Sequence, residues 1–383
     1  MKTTMNGRVS IRLAAFLLAA LGATHSVPSA QAPPPKKNPL LKLAQQWPDA
    51  EQLLKRRQVA EALPLFAGND PIAFTIAGDM KLVNKDHDPN STKQYPAEIK
   101  IARGEGGQID TIPVKLGARG HLRRMARTCD SVPLRVTFDK ERVKDTVFAG
   151  QSVLKLVVQC AGGGEYEQYL YREHLAYRIN NLLMPLRSFR TRLAKVTYVD
   201  AGKTTATRAA MFLEDDGDVA RRMEGRTVAL PRGLFENFES DTLTSMMVFE
   251  YMIGNTDVSI AAVHNVIFVQ KPNEKLWYPI PYDFDVSGLV HPPYAIPARG
   301  LNIKAVTDRL YRGPCQTPEK TDPTIANFVA KKPLIMALPD AIAGMDRASR
   351  DDAKMFLESF YSEIKNPKDV KRIFVDCKKA TTM

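Results

Sequence analysis

The chain has 383 residues and a formal net charge of +12, with 44% hydrophobic and 25% charged residues. After the N-terminal segment no run approaches the roughly 20 apolar residues that a membrane span needs. The basic residues are scattered, densest at 119–127 and 368–379 and without interleaved aromatics, which argues against nucleic acid as a partner.

Lys2, Arg8 and Arg12 precede an apolar and small-residue run over 13–23, and Ala30-Gln31-Ala32 supplies an A-x-A pattern. Residues 1–32 therefore read as a secretory signal, and the protein as exported, periplasmic or secreted. Loss of the three basic residues lowers the net charge to +9 and leaves enough chain for one large domain or two lobes. A basic exported protein is suited to envelope polyanions, acidic headgroups or nucleotide phosphates.

Residues 33–68 read as a helical arm, broken at Trp47-Pro48-Asp49, where Asp49 can cap the second helix. Short β-type runs follow at 72–76, 97–102, 111–116, 132–138 and 152–158. The period then switches: Tyr166, Leu170, Leu175, Ile179, Leu182 and Leu183 recur at helical spacing. Residues 189–215 read as a hairpin turning at Asp200-Ala201-Gly202. Ser240 or Asp241 opens a helix with Leu243, Met246, Met247, Tyr251 and Met252 on one face, and Gly254 stops it. These runs give a sheet-rich half with one long helix over 69–208 and a helical half over 209–383.

Cys129, Cys160, Cys315 and Cys377 show no CxxC or CxxH spacing, which argues against zinc. In an oxidising compartment an even count favours two disulfides. Of three connectivities, Cys129–Cys160 with Cys315–Cys377 keeps each pair within one half.

The chemistry concentrates at 254–288. Asp257 lies on a loop just beyond the helix stop, Asn265 directly precedes an apolar strand, and a turn near 273 brings the chain back to Asp283 and Asp285. In such a hairpin Asn265 faces about residue 281, so Asn265 and Asp283 lie within a rung or two, roughly 5 Å apart. Two oxygens at that separation can share a divalent cation. Phosphoryl transfer needs a carboxylate beside the attacking hydroxyl and an Asn and an Asp on Mg²⁺ or Mn²⁺. Asp257 fits the first role, Asn265 and Asp283 the second, and Asp285 is an additional ligand. Each residue taken singly also suits ordinary turn chemistry. A cation on the nucleotide phosphates is needed too: Lys155 on a strand, with Glu173 on the long helix, is one candidate, and Arg119, Arg123 and Arg124 are others. No GxSxG, Walker A or GxGxxG pattern occurs.

Asn255, Asp257, His264-Asn265, Trp277 and Pro281-Tyr282-Asp283-Phe284-Asp285 resemble the motif of the CotH family of spore-coat and secreted atypical kinases. Weaker similarity over 114–124, 133–140 and 209–223 extends the likeness to about two thirds of the chain, while only 257–285 is specific. Tyr282 replaces the family's usual Trp, and the interval from Asp257 to Asn265 is longer than expected. The resemblance implies an α+β, two-lobed protein-kinase-like fold with an antiparallel sheet-rich N-lobe and a helical C-lobe. It implies ATP or another nucleoside triphosphate, Mg²⁺ or Mn²⁺, a protein or small hydroxyl acceptor, and Glu214 of the hinge-like segment as a nucleotide contact. Two other functions suit the same residues: a catalytically silent envelope or surface interaction protein, and a metal-dependent phosphoester hydrolase.

Overall fold

Asp49 takes a hydrogen bond from the Gln52 N–H at 2.8 Å and opens helix α1, Ala50–Glu61, of the computed structural model. The structure describes residues 46–104, 106–297 and 300–377, so the secretory-signal expectation lies outside it. The chain divides into two units, Met1–Trp47 and Pro48–Met383, and every helix and strand described lies in the second.

The β-type runs become β1 (Ile72–Gly78), β2 (Tyr95–Ala102), β3 (Ile109–Ala118), β4 (Leu134–Phe138) and β5 (Val153–Val158), with a short helix α2, Met80–Asn84, after β1. The long helix α3 is Gly164–Leu183, and the hairpin is β6 (Thr191–Asp200) and β7 (Lys203–Leu213), turning through Ala201 and Gly202 at positive φ. Successive side chains of a strand point to opposite faces. Phe74, Ile76, Ile99, Ile112, Val114, Leu134, Val136, Leu154, Leu156, Val196 and Phe212 thus share one buried cluster.

The expected two-lobed kinase-like fold is not what forms. The seven strands close into a barrel in the order β1-β2-β3-β4-β5-β7-β6. Closure comes from a parallel pairing of β1 with β6, from Ile72 opposite Ala194 to Ala77 opposite Val199, while every other neighbouring pair is antiparallel. An open sheet would leave the backbone groups of β1 and β6 unpaired at its edges, and closure removes both edges.

The C-terminal half is mixed rather than helical. After α4 (Asp216–Arg222), strands β8 (Arg226–Val228), β9 (Val266–Gln270) and β10 (Tyr278–Pro281) make a second sheet in the order β10-β9-β8. Helix α5, Ser240–Ile253, is capped one residue earlier than expected, by the Glu239 carboxylate, which accepts from the N–H groups of Asp241 and Thr242. Helices α6 (Pro318–Ala341) and α7 (Arg347–Ile364) complete a second core with α3, α5 and the small sheet. Disulfides join Cys129 to Cys160 and Cys315 to Cys377. Among the described residues no helix is long and apolar enough to cross a membrane. Both features are compatible with an exported protein.

Candidate active site

Helix α5 stops at Gly254 because the chain there needs a left-handed φ of 66°. A Cβ at Gly254 would also lie 3.3 Å from the Gly288 Cα. Gly288 donates its N–H to the Gly254 carbonyl at 3.0 Å, and Leu289 donates to Ile253 at 2.9 Å. The two ends of 254–288 are thereby fastened at one point, and the acidic residues between them return to one place.

The Asp257 loop is held from both sides. Asn255 Oδ1 accepts the Asp257 N–H at 3.0 Å, and Arg312 Nη1 donates to the carbonyls of Thr256 and Val258 at 2.6 and 2.8 Å. Asp257 Oδ2 accepts from Asn265 Nδ2 at 2.9 Å and faces His264 Nε2 at 3.4 Å, which leaves Oδ1 without a hydrogen bond among the described residues. That contact with Asp257 raises the His264 pKa above its ordinary value, against the opposing effect of burial.

Strands β9 and β10 pair from Val266 opposite Pro281, and the Tyr282 N–H donates to the Asn265 carbonyl at 3.1 Å. Asn265 therefore faces Tyr282, one position beyond the register read from sequence. Asn265 and Asp283 flank this open end at φ of 55° and 65°, a left-handed conformation that Asn and Asp tolerate better than most residues but still at a cost. Tyr177 of α3 accepts the Asp283 N–H at 2.9 Å, and its ring lies 4.6 Å from that of Phe284. Asp285 is buried and takes a hydrogen bond from the Tyr294 hydroxyl at 3.1 Å. Burial first, and then the Asp283 carboxylate, push the Asp285 pKa up to about 7, although Arg123 and Tyr294 act in the opposite direction.

Asp257, Asn265, Asp283 and Asp285 line one cavity of about 700 Å³ together with Arg119, Arg123, Arg135 and Lys155. The first four residues come from 254–288 and the cations from the barrel side of the molecule, while Asp216 of α4 also lines the cavity. A cavity of about 750 Å³ at the barrel strands is lined largely by Ala77, Pro96, Ala97, Pro113, Val114 and Phe138, and lacks this charge pattern.

Not every expected residue joins this arrangement as expected. Lys155 Nζ pairs with Asp216 Oδ1 at 2.6 Å and lies 4.6 Å from the centre of the Tyr282 ring, rather than pairing with Glu173. Glu173 is buried on α3, and its charged partner is Arg123, with Nη1 at 3.7 Å. Burial, and then Asp285, raise the Glu173 pKa well above its ordinary value. Arg124 turns away from the cavity to Asp86, donating from Nη2 to its carboxylate at 2.8 Å and from Nε to its carbonyl at 2.7 Å. Glu214 lies apart from the cavity and is taken up by Arg190 and Arg222. Asp216 and Tyr294 escaped the sequence reading. Asp216 had a usable signal, since it opens a helix within the segment already singled out at 209–223.

Among the described residues, no group of three His, Cys, Asp or Glu side chains converges to hold a metal by itself. A divalent cation at this site would need the Asn265 amide oxygen and phosphate oxygens beside Asp283 and Asp285. The donor set is all oxygen, which suits Mg²⁺ or Mn²⁺. Two crowded carboxyl groups, one of them with its pKa pushed up by burial and then by the other, fit a place where a cation relieves repulsion.

No protein-family model and no curated protein matches the chain, so the CotH resemblance of 255–285 has no such match behind it. Among solved structures the chain is similar to the Helicobacter pylori proinflammatory kinase CtkA. The identity is 13% and the TM-score 0.38, covering 62% of this chain and 94% of that one. A likeness of that size carries no argument.

Proposed function

We propose that the cavity binds a nucleoside triphosphate with Mg²⁺ or Mn²⁺ and transfers its terminal phosphate to a hydroxyl of a protein or small molecule outside the cytoplasm. The observation that carries this reading is the meeting of Asp257, Asn265, Asp283 and Asp285 with Arg119, Arg123, Arg135 and Lys155 around one cavity. Opposed acids and cations of this kind suit a polyanion bridged to carboxylates by a metal, and the CotH-like motif gives the same assignment. Left-handed backbone at both Asn265 and Asp283 is the sort of local cost that persists where a site requires it.

In this reading Asp257 Oδ1, free of hydrogen bonds, accepts the proton of the attacking hydroxyl. The acceptor oxygen forms a bond to the γ-phosphorus, the bond to the β–γ bridging oxygen breaks, and the nucleoside diphosphate leaves with that electron pair. Asn265 would offer its amide oxygen to the cation, because its nitrogen is committed to Asp257. Asp283 and Asp285 would complete the protein ligands. The cation, when bound, neutralises charge that builds on the phosphate oxygens. His264 and Asn265 hold the Asp257 carboxylate in orientation.

The test is transfer of labelled γ-phosphate by the purified protein with Mn²⁺ or Mg²⁺. Asp257→Ala should lower the rate by a factor on the order of 10² to 10⁴, and Asp283→Asn should abolish metal-dependent nucleotide binding. A wild type that releases phosphate without labelling any acceptor is a hydrolase. One whose melting temperature ignores ATP with either metal is a silent interaction protein, since bound ligand must stabilise the folded state.

A further inference from the structure

We propose that Arg123, oriented by Glu173, is the side chain that grips the terminal phosphates, in the place where a strand lysine is expected. The inference rests on the phosphoryl-transfer reading of the cavity and names the group that recognises a polyphosphate there. Lys155 is already committed: Asp216 takes its ammonium at 2.6 Å and the Tyr282 ring lies beneath it. Arg123 is the opposite case.

Its side chain is 11% exposed, and its Nη1 stands 3.7 Å from Glu173 and 3.9 Å from Asp285, beyond hydrogen-bonding distance of both. Its Nη2 donates to the Val158 carbonyl, and its Nε is buried with no hydrogen-bond partner among the described residues. A guanidinium has five N–H donors, and buried donors are normally satisfied. Arg123 keeps most of its donors unused while lining the cavity.

The surroundings hold it in register. The next residue, Arg124, is fixed to Asp86, and further along the loop the Cys129–Cys160 disulfide and the Asp130 N–H bond to the Cys160 carbonyl at 3.0 Å tie the chain to the end of β5. Glu173 projects from α3, is 2% exposed, and accepts no hydrogen bond from a described residue. It sets the guanidinium by charge without consuming its donors. A phosphate bridged by a cation to Asp285 would come within reach of Nη1, which stands 3.9 Å from that carboxylate. The planar fork of arginine then offers two parallel bonds to phosphate oxygens, which a lysine ammonium does not.

Calorimetric titration of the full chain with ATP and with inorganic tripolyphosphate, each with Mn²⁺, tests this. Arg123→Met should weaken both ligands about 10- to 100-fold, the loss expected for a hydrogen-bonded charged contact. Arg123→Lys should recover only part, because the fork is gone, and it remains informative if the Met variant does not fold. Glu173→Gln should weaken both ligands by less than Arg123→Met while its ligand-free melting temperature holds, and Lys155→Met should also cost less than Arg123→Met. Affinity of Arg123→Met within threefold of wild type, or a larger loss in Lys155→Met, overturns the assignment. Tripolyphosphate binding that Arg123→Met removes, without phosphate transfer by the wild type, refutes the phosphotransferase reading and leaves Arg123 standing. No binding of either ligand by the wild type overturns both.

Discussion

Glu214 and Glu173 are both buried acids paired with arginine, and they are built in opposite ways. Glu214, fully buried, accepts five hydrogen bonds: three from Arg190 and two from Arg222, all between 2.7 and 3.0 Å. Glu173, almost as buried, has a single arginine partner and no hydrogen bond among the described residues. Arg222 in turn spends two further donors on the carbonyls of Pro185 and Ser188, whereas Arg123 leaves its Nε unmatched among the described residues. A saturated cluster stabilises the fold and offers nothing to a ligand. An unsaturated one beside a cavity has capacity left for a ligand to use. Burial and opposite charge look the same in both, so the hydrogen-bond inventory is what separates structure from function here.

The largest consequence of that contrast is for stability. Glu214→Ala strands two arginines that depend on it, and loss of one member of a buried ion cluster costs about 3–5 kcal/mol. The midpoint of urea unfolding should fall accordingly. Glu173→Gln, which breaks no hydrogen bond among the described residues, should leave the midpoint close to wild type. Equal losses in the two variants would erase the distinction.

Glu250 of α5 extends the series to an acid with no charged partner among the described residues. Both of its carboxyl oxygens are buried without a hydrogen bond, and the Asn255 amide beside it is outside bonding geometry. Burial pushes its pKa from 4.5 up to about 8; Asn255 opposes the rise in part and Asp257 adds to it. The folded state therefore holds a proton that the unfolded chain releases. The resulting stability is fully present below pH 4.5 and is lost as pH rises toward 8, at about 1.4 kcal/mol per pH unit at the steepest. Glu250→Gln should flatten that slope, so that the variant gains on the wild type between pH 5 and 8 in melting temperature. A parallel pH profile in the two proteins would show that Glu250 ionises without cost.

Much of this was legible in the sequence, for local reasons. Strand alternation over 72–76, 97–102 and 111–116 and the helical period of 165–183 mark β1, β2, β3 and α3, because neighbours in sequence decide those patterns. The hairpin that brings Asn265 near Asp283 could be read from its turn, where Asn273 has a φ of 62°. Barrel closure could not, since the parallel pairing of Ile72 with Ala194 joins segments far apart in the chain and leaves no local trace. Strand β8 has three residues, and α6 contains Pro323, Pro333 and Pro339, so each escapes the usual signals. The site divides in the same way. Asp257, Asn265, Asp283 and Asp285 share one segment and could be read together. The partners of Lys155 and Glu173 come from elsewhere in the chain: Asp216 from the start of α4 and Arg123 from the loop after β3.

The smallest effect belongs to the exposed end of the comparison, His264 against Asp257. The His264 side chain is 53% exposed, so protonating it beside Asp257 contributes only what solvent-exposed ion pairs do, about 0.2–1 kcal/mol. The histidine pKa is raised from 6.5 in the folded state, chiefly by the hydrogen bond to Asp257. The contribution is therefore complete below pH 6.5 and disappears as pH climbs through the raised value. His264→Gln should melt slightly below wild type at pH 5.5 and level with it at pH 8.5. A deficit of the same size at both pH values would mean that His264 acts by packing. The Asp257 carboxylate would then be held by Asn265 and the loop backbone alone.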